Sequence, residues 1–230
     1  MHELCVKPGP IIVLAPHPDD EALGCGRLLS TLWTAGRAVH LVCLTDGGAS
    51  HPGSRTHPRA HLAALRKDQM RSAVLILGGS TSDLQFLNLP DATLHRILRR
   101  DDSLVSRIAR LVEEIGAVTL IAPSALDPHC DHEAAADAAL RVAAHRKGLR
   151  LLFYPIWSRW TSPGHIAPIP PGMQALVWTK GDARQKRAAI DAHASQQGRV
   201  IHDDPAGFAM PPGFASFFAQ APEIYFELLP

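Results

Sequence analysis

The sequence lacks any apolar run near the roughly 20 residues that a membrane-spanning helix requires. Its beginning, MHELCVKPGPIIVLA, has no basic segment followed by a long apolar stretch, so we expect no signal peptide and no membrane partner. Cysteine is scarce, with four scattered residues and no CxxC pair, which predicts reduced thiols and a cytoplasmic location. An excess of positive charge is also missing, because 23 Lys and Arg face 22 Asp and Glu, and this argues against a nucleic-acid partner.

Short apolar runs alternate with longer amphipathic ones along the chain. Strands are predicted for PIIVLAP, AVHLVCLTDGG, LQFLNL, AVTLIAPS, LRLLFYPIW and QALVWT, and the segments between most of them have helical spacing. This alternation predicts the α/β class, as a Rossmann-like three-layer sandwich with a mostly parallel sheet flanked by helices. The 230 residues, 46% of them hydrophobic, suit one domain over 1–230. Residues 200–230 are apolar without clear periodicity, so we expect a tail that packs on the core or at the interface of a homo-oligomer.

Histidines and acids gather directly after two of the predicted strands. His17, Asp19 and Asp20 follow the first strand, in the segment HPDD. The strand AVTLIAPS leads into a second cluster, which contributes Asp127, His129, Asp131 and His132. In open parallel sheets, ligands bind beyond the carboxyl ends of the strands, near the point where the strand order reverses. If these two strands are neighbours, both clusters meet at one crevice.

Metal chemistry gives a reason for the two clusters to meet. A catalytic zinc takes three protein ligands and leaves a position open for water, and two histidines with one carboxylate are a common set. HPDD can provide a His and an Asp, and HCDH can provide the second His. Each cluster alone also fits a structural alternative, because acids at a helix start stabilise the helix through caps and the macrodipole. Histidine in both clusters favours a metal site, either for zinc or for Fe²⁺.

The segments APHPDDEALGCG and DPHCDHEAA together resemble the PIG-L/LmbE family of metal-dependent N-acetylglucosaminyl deacetylases. The segments LTDGG, LRKDQMRSAVLILGG, LQFLNLPD and KRAAIDAHASQ are similar to other parts of that family, so the resemblance extends over about residues 10 to 200. It implies a metal-dependent hydrolase that acts on an amino-sugar conjugate.

The resemblance also implies a role for each matching residue. The metal ligands would be His17, Asp20 and His132. Asp19 matches the general base that activates the metal-bound water, and His129 matches the imidazole that stabilises the tetrahedral intermediate. Asp131 matches an acid that orients one of the histidines. Arg66 and Asp91 match positions that contact the sugar hydroxyls, and His193 matches a position near the active site. Asp127 is also expected to contact the substrate, because it lies just before PHCDH.

Some residues fit these motifs less simply. Cys130 stands where the family motif usually has proline, and two histidines with an aspartate already complete a ligand set without its thiol. Gln69 stands where the arginine-bearing helix often has an acid, which weakens the match of Arg66. His193 can equally cap or pack the last helix, and we expect Glu21 to begin the first helix or to support the ligands. The Gly/Pro-rich segment 47–61 predicts a mobile loop.

The motifs together predict a zinc-dependent hydrolase that removes an N-acetyl or other acyl group from a small amino-sugar conjugate, with Asp19 as the general base. Two alternatives stay open: a non-catalytic, metal-dependent sugar-binding protein on the same fold, and a deacylase of an amide that is not a sugar. A nucleotide-dependent transferase is disfavoured, because the first motif has acids where a phosphate-binding glycine loop would be needed.

Overall fold

The computed structural model describes residues 2–229, and over this range eight strands form one mixed sheet. The strands are β1 His2–Glu3, β2 Ile11–Ala15, β3 Val39–Thr45, β4 Leu84–Leu89, β5 Thr119–Pro123, β6 Arg150–Tyr154, β7 Met173–Trp178 and β8 Glu223–Leu228. The helices are α1 Asp20–Thr34, α2 Arg59–Ile76, α3 Leu94–Arg100, α4 Ser103–Ile115, α5 Cys130–His145, α6 Trp157–Thr161, α7 Ala183–Ala192 and α8 Phe214–Gln220.

The sheet is mostly parallel, in the order β1-β7-β8-β6-β5-β2-β3-β4. Only β8, among the strands of residues 2–229, runs antiparallel to its neighbours. Ile11 of β2 lies opposite Thr119 of β5 on one side and Val39 of β3 on the other. The strand order therefore reverses at β2, and the two strands that precede the His/Asp clusters are neighbours, as predicted.

Helices cover both faces of the sheet, which confirms the three-layer sandwich. Ile11, Val13 and Ala15 of β2 pack into a core with α1, α2, α7 and α8. Ile12 and Leu14 point to the opposite face, where they pack against α3, α4 and α5. Because both faces are buried, these strands read as continuous apolar runs in the sequence.

A glycine lets α1 lie close to the sheet. A Cβ atom added at Gly24 would lie 2.3 Å from Cδ2 of Tyr154, which is fully buried on β6. The hydroxyl of Tyr154 donates a hydrogen bond to the carbonyl of Leu14 at 2.8 Å. The close approach fixes the helix that begins directly after the first His/Asp cluster.

The C-terminal segment packs on the core, which is one of the two expectations for it, but it does so as α8 and the interior strand β8 and not as an irregular tail. Glu223, Ile224, Tyr225 and Phe226 are all buried. A strand that is covered on both faces has no alternating pattern of apolar and polar residues, and so β8 shows no period in the sequence. No helix in the described range is long and apolar enough to cross a membrane.

Candidate active site

The two clusters lie at the carboxyl ends of β2 and β5. The chain leaves β2 at Ala15 and begins α1 at Asp20, and it leaves β5 at Pro123 and begins α5 at Cys130. The strand neighbours thus carry their following loops to one place. The imidazole rings of His17 and His132 stack with their centroids 5.5 Å apart.

Asp20 lies between these two imidazoles. Its Oδ2 is 3.3 Å from Nδ1 of His17, and its Oδ1 is 3.3 Å from Nε2 of His132. Nε2 of His132 is buried and has no hydrogen-bond partner within residues 2–229. A buried polar nitrogen without a partner is costly unless a ligand satisfies it. Two imidazole nitrogens and a carboxylate are a donor set that suits zinc, so these residues fit a metal ion.

Carboxylates hold the other nitrogen of each ring. Nδ1 of His132 is 3.0 Å from Oδ2 of Asp127. Nε2 of His17 is 3.2 Å from Asp91 Oδ1 and 3.2 Å from Asp131 Oδ2. Partners of this kind fix the tautomer and orientation of metal-binding histidines. His17, Asp91 and Asp131 are also close enough to hold an ion themselves, but backbone N–H groups already bind both acids.

Asp127, which the sequence suggested as a substrate contact, does not line the pocket. It is fully buried, and its carboxylate accepts hydrogen bonds from the backbone N–H groups of Ile156 and Ser158 and from the Ser158 hydroxyl. With its remaining contact to His132, both oxygens face protein groups and none faces the pocket. Burial of this carboxylate could not be read from its position just before PHCDH.

Negative charge accumulates around the two stacked imidazoles. Burial alone would lower the pKa of His17, but Asp131, Asp20 and Asp91 raise it well above its ordinary value. Burial likewise opposes protonation of His132, and Asp20 above all raises its pKa to about 9. The surplus of carboxylates therefore favours a positive charge at this point, which is what a metal cation would bring.

Asp19 has a strained backbone conformation directly before α1. Its φ of 139° and ψ of −24° lie where residues other than glycine rarely occur, at a cost of ~1–3 kcal/mol. Its Oδ2 is 3.3 Å from the Arg66 guanidinium. Burial raises the pKa of Asp19 to about 6 although Arg66 lowers it. Arg66 also donates to the carbonyls of Gly47 and Pro18, so its main contacts are to the loops that shape the site.

Glu21 and His193 form a buried pair that supports this conformation and that the sequence did not reveal. Oε2 of Glu21 accepts a hydrogen bond from the backbone N–H of Asp19 at 3.0 Å. Oε1 lies 2.7 Å from Nε2 of His193, and both residues are fully buried. His193 therefore does not line the pocket, and its ring packs behind the first motif, in agreement with the second of the two expectations for it. Glu21 lies in the first turn of α1, in agreement with one of the two expectations for it, and its carboxylate supports the backbone of Asp19.

His129 faces the pocket with a defined tautomer. Its Nδ1 accepts a hydrogen bond from the backbone N–H of Asp131 at 3.2 Å and so caps α5. In the neutral ring the proton must then sit on Nε2. Burial, with the positive charge of His17 and His132 added to it, lowers the pKa of His129 to about 4. The ring is therefore a neutral hydrogen-bond donor that lines the pocket.

The pocket has a volume of about 470 Å³ and two unlike walls. Its polar wall includes Arg66, Asp91 and the Gln196 side chain in addition to the His/Asp clusters. The opposite wall is apolar and aromatic, and its larger side chains are those of Leu23, Pro52, Trp157, Phe208, Met210 and Phe214. Phe208, Met210 and Phe214 belong to the C-terminal segment that the sequence left without a role.

Residues 59–61 of the predicted loop belong to α2, and the rest of it, residues 47–58, is joined to the C-terminal segment by Asp203. The Asp203 carboxylate accepts hydrogen bonds from the hydroxyl of Ser54, from the backbone N–H of Arg55, and from the backbone N–H and the hydroxyl of Thr56. These hydrogen bonds hold the pKa of Asp203 below its ordinary value, and the one from the backbone N–H of Thr56 has the largest effect. The loop and the segment after α7 thus shape one rim of the pocket together.

Comparison with known proteins places this arrangement in a family. The profile described as "PIG-L: GlcNAc-PI de-N-acetylase" matches residues 12–143, which include both His/Asp clusters. A probable N-acetyl-alpha-D-glucosaminyl L-malate deacetylase 2 from Bacillus anthracis is 29% identical over 191 residues, which are 81% of this chain and 80% of that protein.

Two solved structures have the same fold. The A40926 pseudoaglycone deacetylase Dbv21 superposes with a TM-score of 0.72 at 19% identity, over 97% of this chain and 98% of that one. The zinc-inhibited form of the teicoplanin deacetylase Orf2 superposes with a TM-score of 0.69 at 17% identity, over 96% and 98% of the two chains. The chain belongs to the PIG-L (GlcNAc-PI de-N-acetylase) family of hydrolytic N-deacetylases.

Proposed function

We propose that this protein removes an N-acetyl group from a small amino-sugar conjugate by zinc-dependent hydrolysis. The observation that carries the proposal is the convergence of His17, Asp20 and His132 beside a pocket that Asp19 and His129 line. Nε2 of His132 lies 3.3 Å from Oδ1 of Asp20 and makes no hydrogen bond within residues 2–229. A bound zinc ion supplies Lewis-acid polarisation of the amide carbonyl and lowers the pKa of a coordinated water. Fe²⁺ suits the same donor set and is the alternative ion.

Asp19 is the proton acceptor in this proposal. Its Oδ2 is paired with Arg66, which leaves Oδ1 to take the proton from the attacking water. The same carboxyl group then gives this proton to the departing amine nitrogen as the C–N bond breaks. The products are acetate and the free amino sugar, and one water molecule is consumed.

His129 stabilises the charge that develops on the carbonyl oxygen. Because its Nδ1 is occupied by the backbone N–H of Asp131, its Nε2–H is the group available to donate to the oxyanion. The helix cap fixes the ring in advance, so no reorientation is needed when the charge forms.

The two walls of the pocket support an amino-sugar conjugate with an apolar part. Arg66, Asp91 and Gln196 offer hydrogen-bonding groups on the polar wall. Trp157 and Phe208 offer aromatic surface on the other wall, where a sugar face or an apolar substituent can stack. The relative described as a probable N-acetyl-alpha-D-glucosaminyl L-malate deacetylase supports this substrate class.

A deacetylation screen monitored by mass tests the proposal. Metal-free protein is reloaded with one equivalent of zinc or Fe²⁺ and given N-acetylglucosaminides with polar and apolar aglycones, beside N-acetyl amino acids. We expect a mass loss of one acetyl group from the glucosaminides only, which a chelator abolishes and zinc restores. Turnover that resists the chelator contradicts the proposal.

Two carboxylate variants separate catalysis from binding. Asp19→Asn keeps the shape of the base and should lose at least about 10²-fold in kcat, the lower end of what general-base catalysis contributes. Asp68→Asn, on the exposed side of α2, is the matched control and should leave kcat unchanged. Ligand binding to the zinc-loaded protein without any turnover would favour the sugar-binding alternative, and turnover of the amino acids alone would favour the non-sugar deacylase.

A further inference from the structure

Asp131 separates the proposed catalytic site from a second group of metal-ligating side chains. His95 on α3, Cys130 at the first position of α5, and Asp131 offer ligand atoms that all lie within 4.8 Å of one another. Sγ of Cys130 is 3.9 Å from Oδ1 of Asp131. The deacetylation scheme gives no task to His95 or Cys130.

The imidazole of His95 has an unmet need for a partner. Its Nδ1 is buried and makes no hydrogen bond within the described chain. Leaving such a nitrogen unpaired costs free energy that coordination would recover. The site would offer a tetrahedral ligand set of one imidazole nitrogen, one thiolate sulfur, one carboxylate oxygen and a water. Such a set favours zinc over magnesium or calcium.

The backbone holds these three residues in place. The backbone N–H of Leu94 donates to Oδ1 of Asp131 at 2.9 Å, and that of Ala92 donates to Oδ2 at 2.8 Å. The start of α3, which carries His95, is thereby fixed to the start of α5, which carries Cys130. A site whose ligands are already positioned loses less conformational freedom when an ion binds.

An ion can reach this group without passing through the catalytic pocket. His95 and Cys130 line a surface cleft of about 640 Å³, together with Glu133 and Asp137. None of the residues that line this cleft also lines the catalytic pocket. The cleft therefore gives the group its own opening to solvent.

Asp131 links the two locations electrostatically. Its Oδ1 faces Cys130, and its Oδ2 lies 3.2 Å from Nε2 of His17. A dication bound on the Oδ1 side would draw the negative charge of Asp131 away from His17, whose orientation that carboxylate supports.

We propose that His95, Cys130 and Asp131 form a second, lower-affinity site for zinc or a similar borderline-soft dication, and that its occupation reduces turnover. The thiol of Cys130 releases its proton to solvent as the ion binds. The effect on turnover rests on the proposed function, whereas the binding does not.

Cobalt(II), added stepwise to the metal-free protein, tests the binding directly. We expect two equivalents to bind, and the second should produce a thiolate-to-cobalt charge-transfer band. Cys130→Ser should abolish the band. His95→Gln should lower the affinity for the second cobalt ion by at least ~10–100-fold, because this much is lost even when only a hydrogen-bond partner of a metal ligand is removed. Cys5→Ser, which removes an exposed thiol elsewhere, is the matched control and should keep the band.

A zinc titration of activity tests the consequence. Excess zinc should inhibit the wild-type enzyme, and Cys130→Ser, active with one equivalent, should resist that excess. A single equivalent of cobalt, or a band that survives in Cys130→Ser, would overturn the site. Equal inhibition of both proteins would overturn the link to turnover. If the wild type hydrolyses no substrate, the proposed function fails, while the cobalt band still decides whether the second site exists.

Discussion

Replacing Glu21 by alanine should slow the hydrolysis while leaving substrate binding almost unchanged. Glu21 does not line the pocket, but its Oε2 accepts the backbone N–H of Asp19 at 3.0 Å. Asp19 has a φ of 139°, and this strained conformation directs the proposed base. With the carboxylate gone, the backbone at Asp19 can relax toward a commoner conformation and move the base away from the water.

The structure sets the size of this effect. The strain at such a backbone position is worth ~1–3 kcal/mol, and a hydrogen bond to a charged group is worth ~1.5–3 kcal/mol. If the variant loses about 2 kcal/mol of transition-state stabilisation, kcat falls about 30-fold. KM should stay within about twofold, because uniform binding of the substrate is not altered.

Glu21→Gln distinguishes geometry from charge. Its amide oxygen can still accept from the N–H of Asp19, and its amide N–H group can still meet His193, so kcat should recover most of the loss. Glu223→Ala is the matched control, since Glu223 is also a buried acid whose carboxylate accepts a backbone N–H group of α1, and it pairs with Lys186 at 2.7 Å outside the pocket. It should lower the denaturation midpoint without changing kcat.

The experiment compares kcat, KM, zinc content and urea denaturation for the wild type and these three variants. Two results would refute the reasoning. One is a Glu21→Ala enzyme whose kcat is no lower than that of Glu223→Ala. The other is a Glu21→Gln enzyme as slow as Glu21→Ala, because the acceptor atom would then not matter.

Three further predictions concern stability and the pocket rim. Gly24→Ala should destabilise the fold by ~1–3 kcal/mol in urea denaturation, because its Cβ would overlap the Tyr154 ring. A hydrogen bond from Arg150 holds the pKa of Glu227 below its ordinary value. The pair therefore stabilises the fold above about pH 5 and loses this effect as the pH falls. The difference in Tm between the wild type and Glu227→Gln should accordingly disappear on acidification. Asp203→Asn should speed proteolysis in loop 47–61, and equal cleavage of both proteins would contradict its role.

The strands and the two clusters could be predicted because local chemistry determines them. Strands such as β2 are continuous apolar runs, and the rule that ligands bind at the carboxyl ends placed His17 and His132 together before any contact was known. The errors concern burial. Asp127 and His193 carry groups that suit a sugar, but only the packed fold shows that each already has a buried protein partner.

The pairs that join distant segments could not be predicted for a related reason. Glu21 and His193 lie 172 positions apart, and nothing in either local segment selects the other. β8 was missed because its apolar residues face both layers and its neighbours come from earlier in the chain. Contacts of this kind follow from topology, and one sequence gives few signals of topology.

The position of β8 determines the order in which the sheet can be completed. β7 pairs with β8 and β1, and β1 pairs with β7, so this side of the sheet is joined to β6 through β8. During synthesis, the first strand of the chain must therefore wait until residues 223–228 have emerged before it joins the rest of the sheet. Until then β6 and β7 have unpaired edges that can associate with other chains. The parallel strands β2 and β5, which lead into the two His/Asp clusters, can pair earlier, so this half of the protein can form before the aromatic residues of the C-terminal segment are in place.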